Sequence, residues 1–192
     1  YTPSNYIFPS KLDKYMDLTH NKGINLTQRG REQGIRRLMS INLLKRLESS
    51  VFSFNLTLSR ICELITKTID AINRFEKYGI SDLNIYEASD NEFDMDDGNT
   101  DFFFVGKKVK IDLADMDYRT WRDELQADAD ILELLTLMIA DITTEYDTKL
   151  QTLFELISRK IEYPINGNNK KILIFSAFSD TAEYLYENVS VF

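Results

Sequence analysis

Few residues in this chain have the type and spacing to carry out chemistry. His20 is the single imidazole, and no carboxylate or nucleophile stands beside it, so a structural or surface role is expected for it. Cys62 is the single thiol; it sits next to a position of an apolar helical repeat, where an inert, packed thiol is expected. No GxxxxGK(S/T) run occurs, so the chain has no P-loop to cradle nucleotide phosphates. Asp123-Glu124 looks like the acidic pair that holds magnesium in ATPases, but that pair follows a buried apolar strand. Here Arg119-Thr120-Trp121-Arg122 precedes it in a helical pattern, which makes the two carboxylates helix surface. Asp90, Glu92, Asp94, Asp96, Asp97 and Asp101 surround Gly98 and invite a calcium loop. Counted from Glu92, the glycine falls seventh where the loop needs it sixth, and the distal Glu is missing, so an acidic loop without a metal is expected. No titratable pair divides into acid and base, and neither an enzyme confined to these residues nor a cofactor or metal site within them is expected.

A nucleic-acid surface is the one chemistry with candidates. Arg29, Arg31, Arg36, Arg37, Lys45, Arg46 and Arg60 lie on or just before a long helical pattern. At such spacing Arg and Lys can follow a phosphate backbone, giving sequence-independent, salt-dependent affinity. A solvated helix face accounts for the same residues equally well, and both alternatives stand. Gln28-Arg29-Gly30-Arg31 resembles an arginine-finger segment in type but precedes a helix, and is taken as a helix start. Trp121 is of a type that stacks on a base, yet at the start of an amphipathic helix it is expected to be a core anchor.

Charge is segregated along the chain. Residues 1–80 carry 13 basic and 7 acidic side chains (+6), residues 81–147 carry 5 and 19 (−14), and the remainder 5 and 5, which accounts for the net −8. Two faces of opposite sign follow, suited either to an oriented interaction or to keeping long helices in water. With 192 residues, 43% of them hydrophobic, the chain can bury a core of about one domain. One cysteine excludes an internal disulfide framework. No secretory signal and no apolar run of membrane-crossing length is present, so the cytoplasm is the expected compartment and no membrane partner is expected.

The elements that would position these residues are long helices. Leu44, Leu47, Val51, Phe54, Leu58, Ile61, Ile65, Ile72 and Phe75 step by threes and fours, interrupted by Thr68, and no proline falls between Thr27 and Tyr78. A helix from Gln28 to Lys77 would be about 75 Å long at about 1.5 Å per residue, with a bend expected at Ser49-Ser50. A second seam runs through Leu132, Leu135, Ile139, Ile142, Tyr146, Leu150, Leu153 and Ile157, with a restart at Thr144 where Asp147 would complete a capping box. Neither helix can bury its stripe alone, so the two should pair antiparallel. Phe102–Val105 and Lys108–Leu113 would form a hairpin around Gly106-Lys107, and Pro164–Asn169 is a linker.

After the linker, Ile172–Phe175 is an apolar run too continuous for a strand with one wet face, and Thr181–Val189 repeats apolar residues at helical spacing. Such a strand needs parallel neighbours that nothing upstream supplies. With Tyr1 rather than Met at the start, the chain is expected to be a piece of a longer protein. The expected fold is thus mainly α: long antiparallel helices with coiled-coil-like seams, followed by a truncated α/β strand-helix unit. Residues 1–26 form an unplaced N-terminal arm, 27–163 the helical region with its acidic loop at 89–101, and 164–192 the linker and strand-helix unit.

Two segments together resemble a known family. LLKRLESS at Leu43–Ser50, followed by KKILIFSAFSDTAEYLYENV at Lys170–Val189, is similar to the region joining the two motor lobes of bacterial Swi/Snf-type superfamily-two helicases; GKKVKIDLADMD at Gly106–Asp117 resembles a spacer in those proteins. The resemblance covers about Arg36 to Val189. It implies a RecA-like lobe before this chain holding the P-loop and magnesium pair, a helical protrusion, and a second lobe supplying an arginine finger. ATP closing the lobes drives movement along nucleic acid, DNA being favoured over RNA. Residues 164–192 would then open the second RecA-like lobe, and Ser176, Ala177 and Phe178 match a motif that approaches the nucleic-acid backbone. The implied nucleic-acid contacts are therefore Ser176 and Phe178, beside Arg36, Arg37, Lys45 and Arg46 from the helical pattern. ATP and magnesium would belong to the parent protein, whose two motor lobes this region couples. The alternative is a helical protein-interaction module that docks a basic partner through its acidic segment.

Overall fold

The computed structural model describes residues 2–16, 28–79, 111–165 and 167–192. These are mainly helical, with no strand among the described residues. A one-turn helix α1 (Asp13–Met16) precedes α2 (Gln28–Ser49), α3 (Val51–Tyr78), α4 (Tyr118–Ala140), α5 (Thr148–Glu162) and α6 (Ser179–Ser190).

Helices α2 and α3 are separated by one residue. Ser50 is extended (φ −159, ψ 137), and its side chain accepts a hydrogen bond from Phe52 N–H at 3.2 Å, the geometry of an N-cap. Its own N–H still donates to the Arg46 carbonyl (2.9 Å), while its carbonyl accepts from Phe54 (3.1 Å). The expected bend is therefore a complete break, achieved with the backbone groups at the elbow still satisfied. At the other end of α3, Gly79 adopts φ 65, the left-handed conformation glycine tolerates, and donates to the Phe75 carbonyl at 2.8 Å to close the helix.

The core lies between α3 and α4. Ile61, Ile65 and Ile72 of α3 pack on Trp121, Leu125 and Ala129 of α4, together with Leu113 and Met116. Trp121 is thus the core anchor its position suggested. The helices are antiparallel: near the end of α3, Phe75 meets Tyr118 edge to face (centroids 5.3 Å apart), and Glu76 accepts from Arg119 (3.0 Å) and Arg122 (2.7 Å) at the start of α4. Burying each large apolar side chain contributes about 1.5–3 kcal/mol. Thr68 does not interrupt this seam; it is fully buried, its hydroxyl donating to the Leu64 carbonyl at 2.7 Å.

Both seams hold only in part. Leu58, Ile61, Ile65 and Ile72 are buried, but Leu44 and Leu47 lie on the far side of the Ser50 break and are exposed, because α3 restarts with its own phase. On the second seam Leu150 and Ile157 are buried, whereas Leu135, Ile142 and Tyr146 are exposed. The chain leaves helix after Ala140, and Asp147 is itself the N-cap of α5, accepting from Lys149 N–H (3.1 Å) and Leu150 N–H (3.0 Å). The restart thus comes three residues later than the Thr144 cap read from sequence, because the Asp147 carboxylate serves two amides at once.

The N-terminal arm, which the sequence left unplaced, packs against the start of α4. Ile7 pairs with Met116 in an isolated antiparallel bridge, flanked by Phe8 N–H to the Asp115 carbonyl (3.0 Å) and Asp117 N–H to the Tyr6 carbonyl (2.7 Å). Asp115 accepts from Lys14 (2.5 Å) and Tyr15 (2.7 Å), and these donors hold its carboxyl below the usual range. Ser4 caps the buried Glu32 of α2 through both its amide (3.1 Å) and its hydroxyl (2.5 Å). The acidic loop at 89–101, most of the expected hairpin and His20 lie outside the described residues.

Candidate functional site at the helix elbow

Among the described residues, a dense polar constellation gathers where α6 meets the α2–α3 elbow. Arg46, in the last turn of α2, donates to Asp180 of α6 at 2.7 Å; their side chains are only 4% and 9% exposed. Arg60 of α3 approaches the same carboxylate oxygen at 3.5 Å, so one carboxylate is shared by two guanidinium groups. The Arg46 guanidinium also lies 4.8 Å from the centroid of the Phe178 ring, a cation–π contact strengthened by exclusion of water. Beside it the Thr181 hydroxyl bonds both Ser49 (3.0 Å) and Ser53 (2.7 Å), the latter fully buried.

A second set ties α6 to α5. Tyr184 donates to Asp147 at 3.0 Å, the carboxylate that caps α5, and stacks on Phe52 with centroids 4.8 Å apart. Burial, then the Asp147 carboxylate, push the Tyr184 hydroxyl well above its ordinary pKa, so it stays a donor. From α5, Lys149 reaches back to the carbonyls of Glu48 (2.5 Å) and Ser49 (3.2 Å), placing a cation at the carbonyl end of α2. Between these elements runs an open groove of about 620 Å³, walled by Leu47, Leu150, Leu153, Phe175 and Leu185 among others.

The expected nucleic-acid residues divide accordingly. Arg36, Arg37 and Lys45 are exposed on α2, as the role requires. Arg46 and Phe178 are buried against each other, and the Arg46 charge is directed at Asp180 rather than at solvent. These two are therefore structural in this arrangement; a helix in contact with a second element on one face removes some of its basic residues from the surface. Ser176 is exposed; its hydroxyl accepts from Phe178 N–H at 3.1 Å, shaping the turn into α6. The preceding run forms neither strand nor helix, with Leu173 83% and Phe175 89% exposed and no strand partner among the described residues. Thus the helix of the expected strand-helix unit is present, and the segment before it lies open.

Asp180, Thr181 and Tyr184 escaped the sequence-based expectations as partners in such a site, and Asp147 was expected only as part of a helix cap. Asp180 reads as an ordinary acid in the first turn of a helix, and nothing in the order of residues reveals a partner 134 positions away. The one available signal was Ser49, Ser50 and Ser53, small hydroxyl residues clustered where α3 begins.

The contacts of this constellation tie α6 to α2, α3 and α5. Among the described residues no group of three His, Cys, Asp or Glu side chains could hold a metal. Asp123 and Glu124 do not fit a magnesium pair: Arg122 binds the first at 3.3 Å and the Tyr6 hydroxyl donates to the second. No helix among the described residues is long and apolar enough to cross a membrane. Comparison with protein-family models, curated proteins and solved structures found no match to this chain.

Proposed function

We propose that the chain is the helical inter-lobe region of an ATP-dependent nucleic-acid translocase of the Swi/Snf type, with α6 belonging to the opening of the second motor lobe. The observation that carries this is the meeting of the two family-like segments. Leu43–Ser50 and Lys170–Val189, remote in sequence, join at the Arg46–Asp180 pair and the Thr181 hydroxyl contacts. The open apolar run at Ile172–Phe175 is what a strand would present before parallel neighbours cover it. ATP and magnesium are assigned to motor lobes of the parent, as the resemblance implies. In this proposal the helical region couples those lobes, and Arg36, Arg37 and Lys45 contact the phosphate backbone without reading sequence, on DNA in preference to RNA.

The test replaces Arg36, Arg37 and Lys45 with Glu together; all three are exposed, so helix content should be unchanged. Arg46 is left alone because its reversal would disrupt the elbow. Binding of labelled duplex DNA and of RNA is followed by fluorescence anisotropy across a salt series. Removing one cation from the phosphate backbone lowers the slope of log affinity against log salt by about 0.9 on duplex DNA. An unchanged slope, or no binding by the parent chain, counts against the nucleic-acid role. A second reading is favoured by one observation: Ile131, Leu134, Leu137 and Met138 leave an exposed apolar stripe on α4, as a helical protein-interaction module would. That module predicts protein capture with no affinity for nucleic acid.

A further inference from the structure

We infer that the Arg46–Asp180 pair is a latch that joins α6 and the α2–α3 elbow into one body, and that neutralising either partner releases α6 while the α3–α4 core stays folded. The inference concerns this chain's own mechanics and goes beyond the motor proposal, which can fail without affecting it.

Three observations lead to it. First, the buried residues of α6 are Asp180, Thr181 and Tyr184. Each makes a polar contact with the body, to Arg46, to Ser49 and Ser53, and to Asp147, and no aliphatic side chain of α6 is buried. Second, the core cluster of Ile61, Ile65, Ile72, Trp121, Leu125 and Ala129 contains no residue of α6, so nothing in its packing needs that helix. Third, the contacts of Asp180 and Thr181 fall on both sides of Ser50: Arg46 and Ser49 belong to α2, Ser53 and Arg60 to α3. A displaced α6 must therefore either carry the elbow with it or break the pair.

Buried ion pairs give such a latch a characteristic signature. Removing Asp180 leaves the Arg46 charge buried and uncompensated, which is strongly unfavourable, and removing Arg46 leaves Asp180 with only the longer 3.5 Å contact of Arg60, whereas replacing both by apolar side chains of similar volume is close to neutral. The same asymmetry makes the docked position specific, because an α6 shifted by one turn would strand both charges.

Three variants of the full chain test this: Asp180→Leu, Arg46→Met, and the two combined; methionine retains a favourable contact with the Phe178 ring. Backbone hydrogen exchange is followed in α6, in residues 46–57 around the elbow, and in residues 118–132 of α4. Asp180→Leu should speed exchange in α6 and around the elbow by roughly 100-fold and Arg46→Met, which leaves Arg60 on Asp180, by roughly 10-fold or more, with α4 unchanged in both, and the double variant should be slower than Asp180→Leu and within about tenfold of the parent chain. Unchanged α6 exchange in the single variants overturns the inference. So does acceleration of α4 together with α6, which would make the helices one cooperative unit, or a double variant as fast as Asp180→Leu.

Discussion

Ile72 and Leu44 occupy equivalent places in the heptad pattern, but truncating them should have very different effects. Ile72 is 0% exposed in the cluster it shares with Trp121, while Leu44 is 66% exposed on α2. Ile72→Ala removes three carbons at about 0.8 kcal/mol each, roughly 2.4 kcal/mol of transfer free energy, and the unfilled cavity brings the total into the range of about 2–5 kcal/mol. Leu44 has about a third of its surface buried, so Leu44→Ala forfeits about 0.5–1 kcal/mol, partly offset by the better helix propensity of alanine. Urea unfolding followed by Trp121 fluorescence measures both, since the only tryptophan is buried in the same cluster as Ile72. A loss above about 2 kcal/mol for Leu44→Ala would refute the account, because it would mean that the first seam continues through Ser50 and that Leu44 is covered in solution.

Two further outcomes follow from named hydrogen bonds. Tyr6 donates to Glu124, and burial followed by that carboxylate pushes its hydroxyl up to about 12 from 10.0. Because the folded state holds the proton more tightly, this contribution is complete below pH 10.0 and is lost as pH rises through about 12. Urea midpoints measured over that window should fall more steeply for the parent chain than for Tyr6→Phe, and parallel curves would contradict the assignment. At Asp147, alanine removes the cap of α5 and strands the Tyr184 hydroxyl, whereas serine keeps a cap but cannot reach Tyr184. Asp147→Ala should therefore destabilise the docking of α5 and α6 by about 2–4 kcal/mol and Asp147→Ser by about 1 kcal/mol less. Hydrogen exchange in the two helices checks the order, which fails if the two substitutions are equivalent.

The parts of the fold legible in the sequence were those where one local rule decides. From Ile61 to Phe75 the repeat of apolar residues at threes and fours identified the face that α4 covers, because periodicity and burial coincide there. The same rule misjudged Leu44 and Leu47, since a single capping serine resets the helical phase and a pattern of spacings cannot register that. The helix read at Thr181–Val189 is present as part of Ser179–Ser190. The elbow constellation was not, and the reason is physical. Arg46 and Asp180 each look like surface charges in their own helices, and only a contact across 134 residues turns them into a buried pair. Arg36, Arg37 and Lys45 remain at the surface, where charge patterning alone put them.

The edge-to-face contact of Phe75 with Tyr118, braced by Glu76 on Arg119 and Arg122, brings the end of α3 and the start of α4 together. Whatever joins them closes a loop between two anchored neighbours, and doubling the length of such a loop adds only about 0.6 kcal/mol of closure entropy. Closure of the helix pair therefore sets only a weak limit on how many residues stand between Gly79 and Ile111, because the two helix ends are held together by their own side chains.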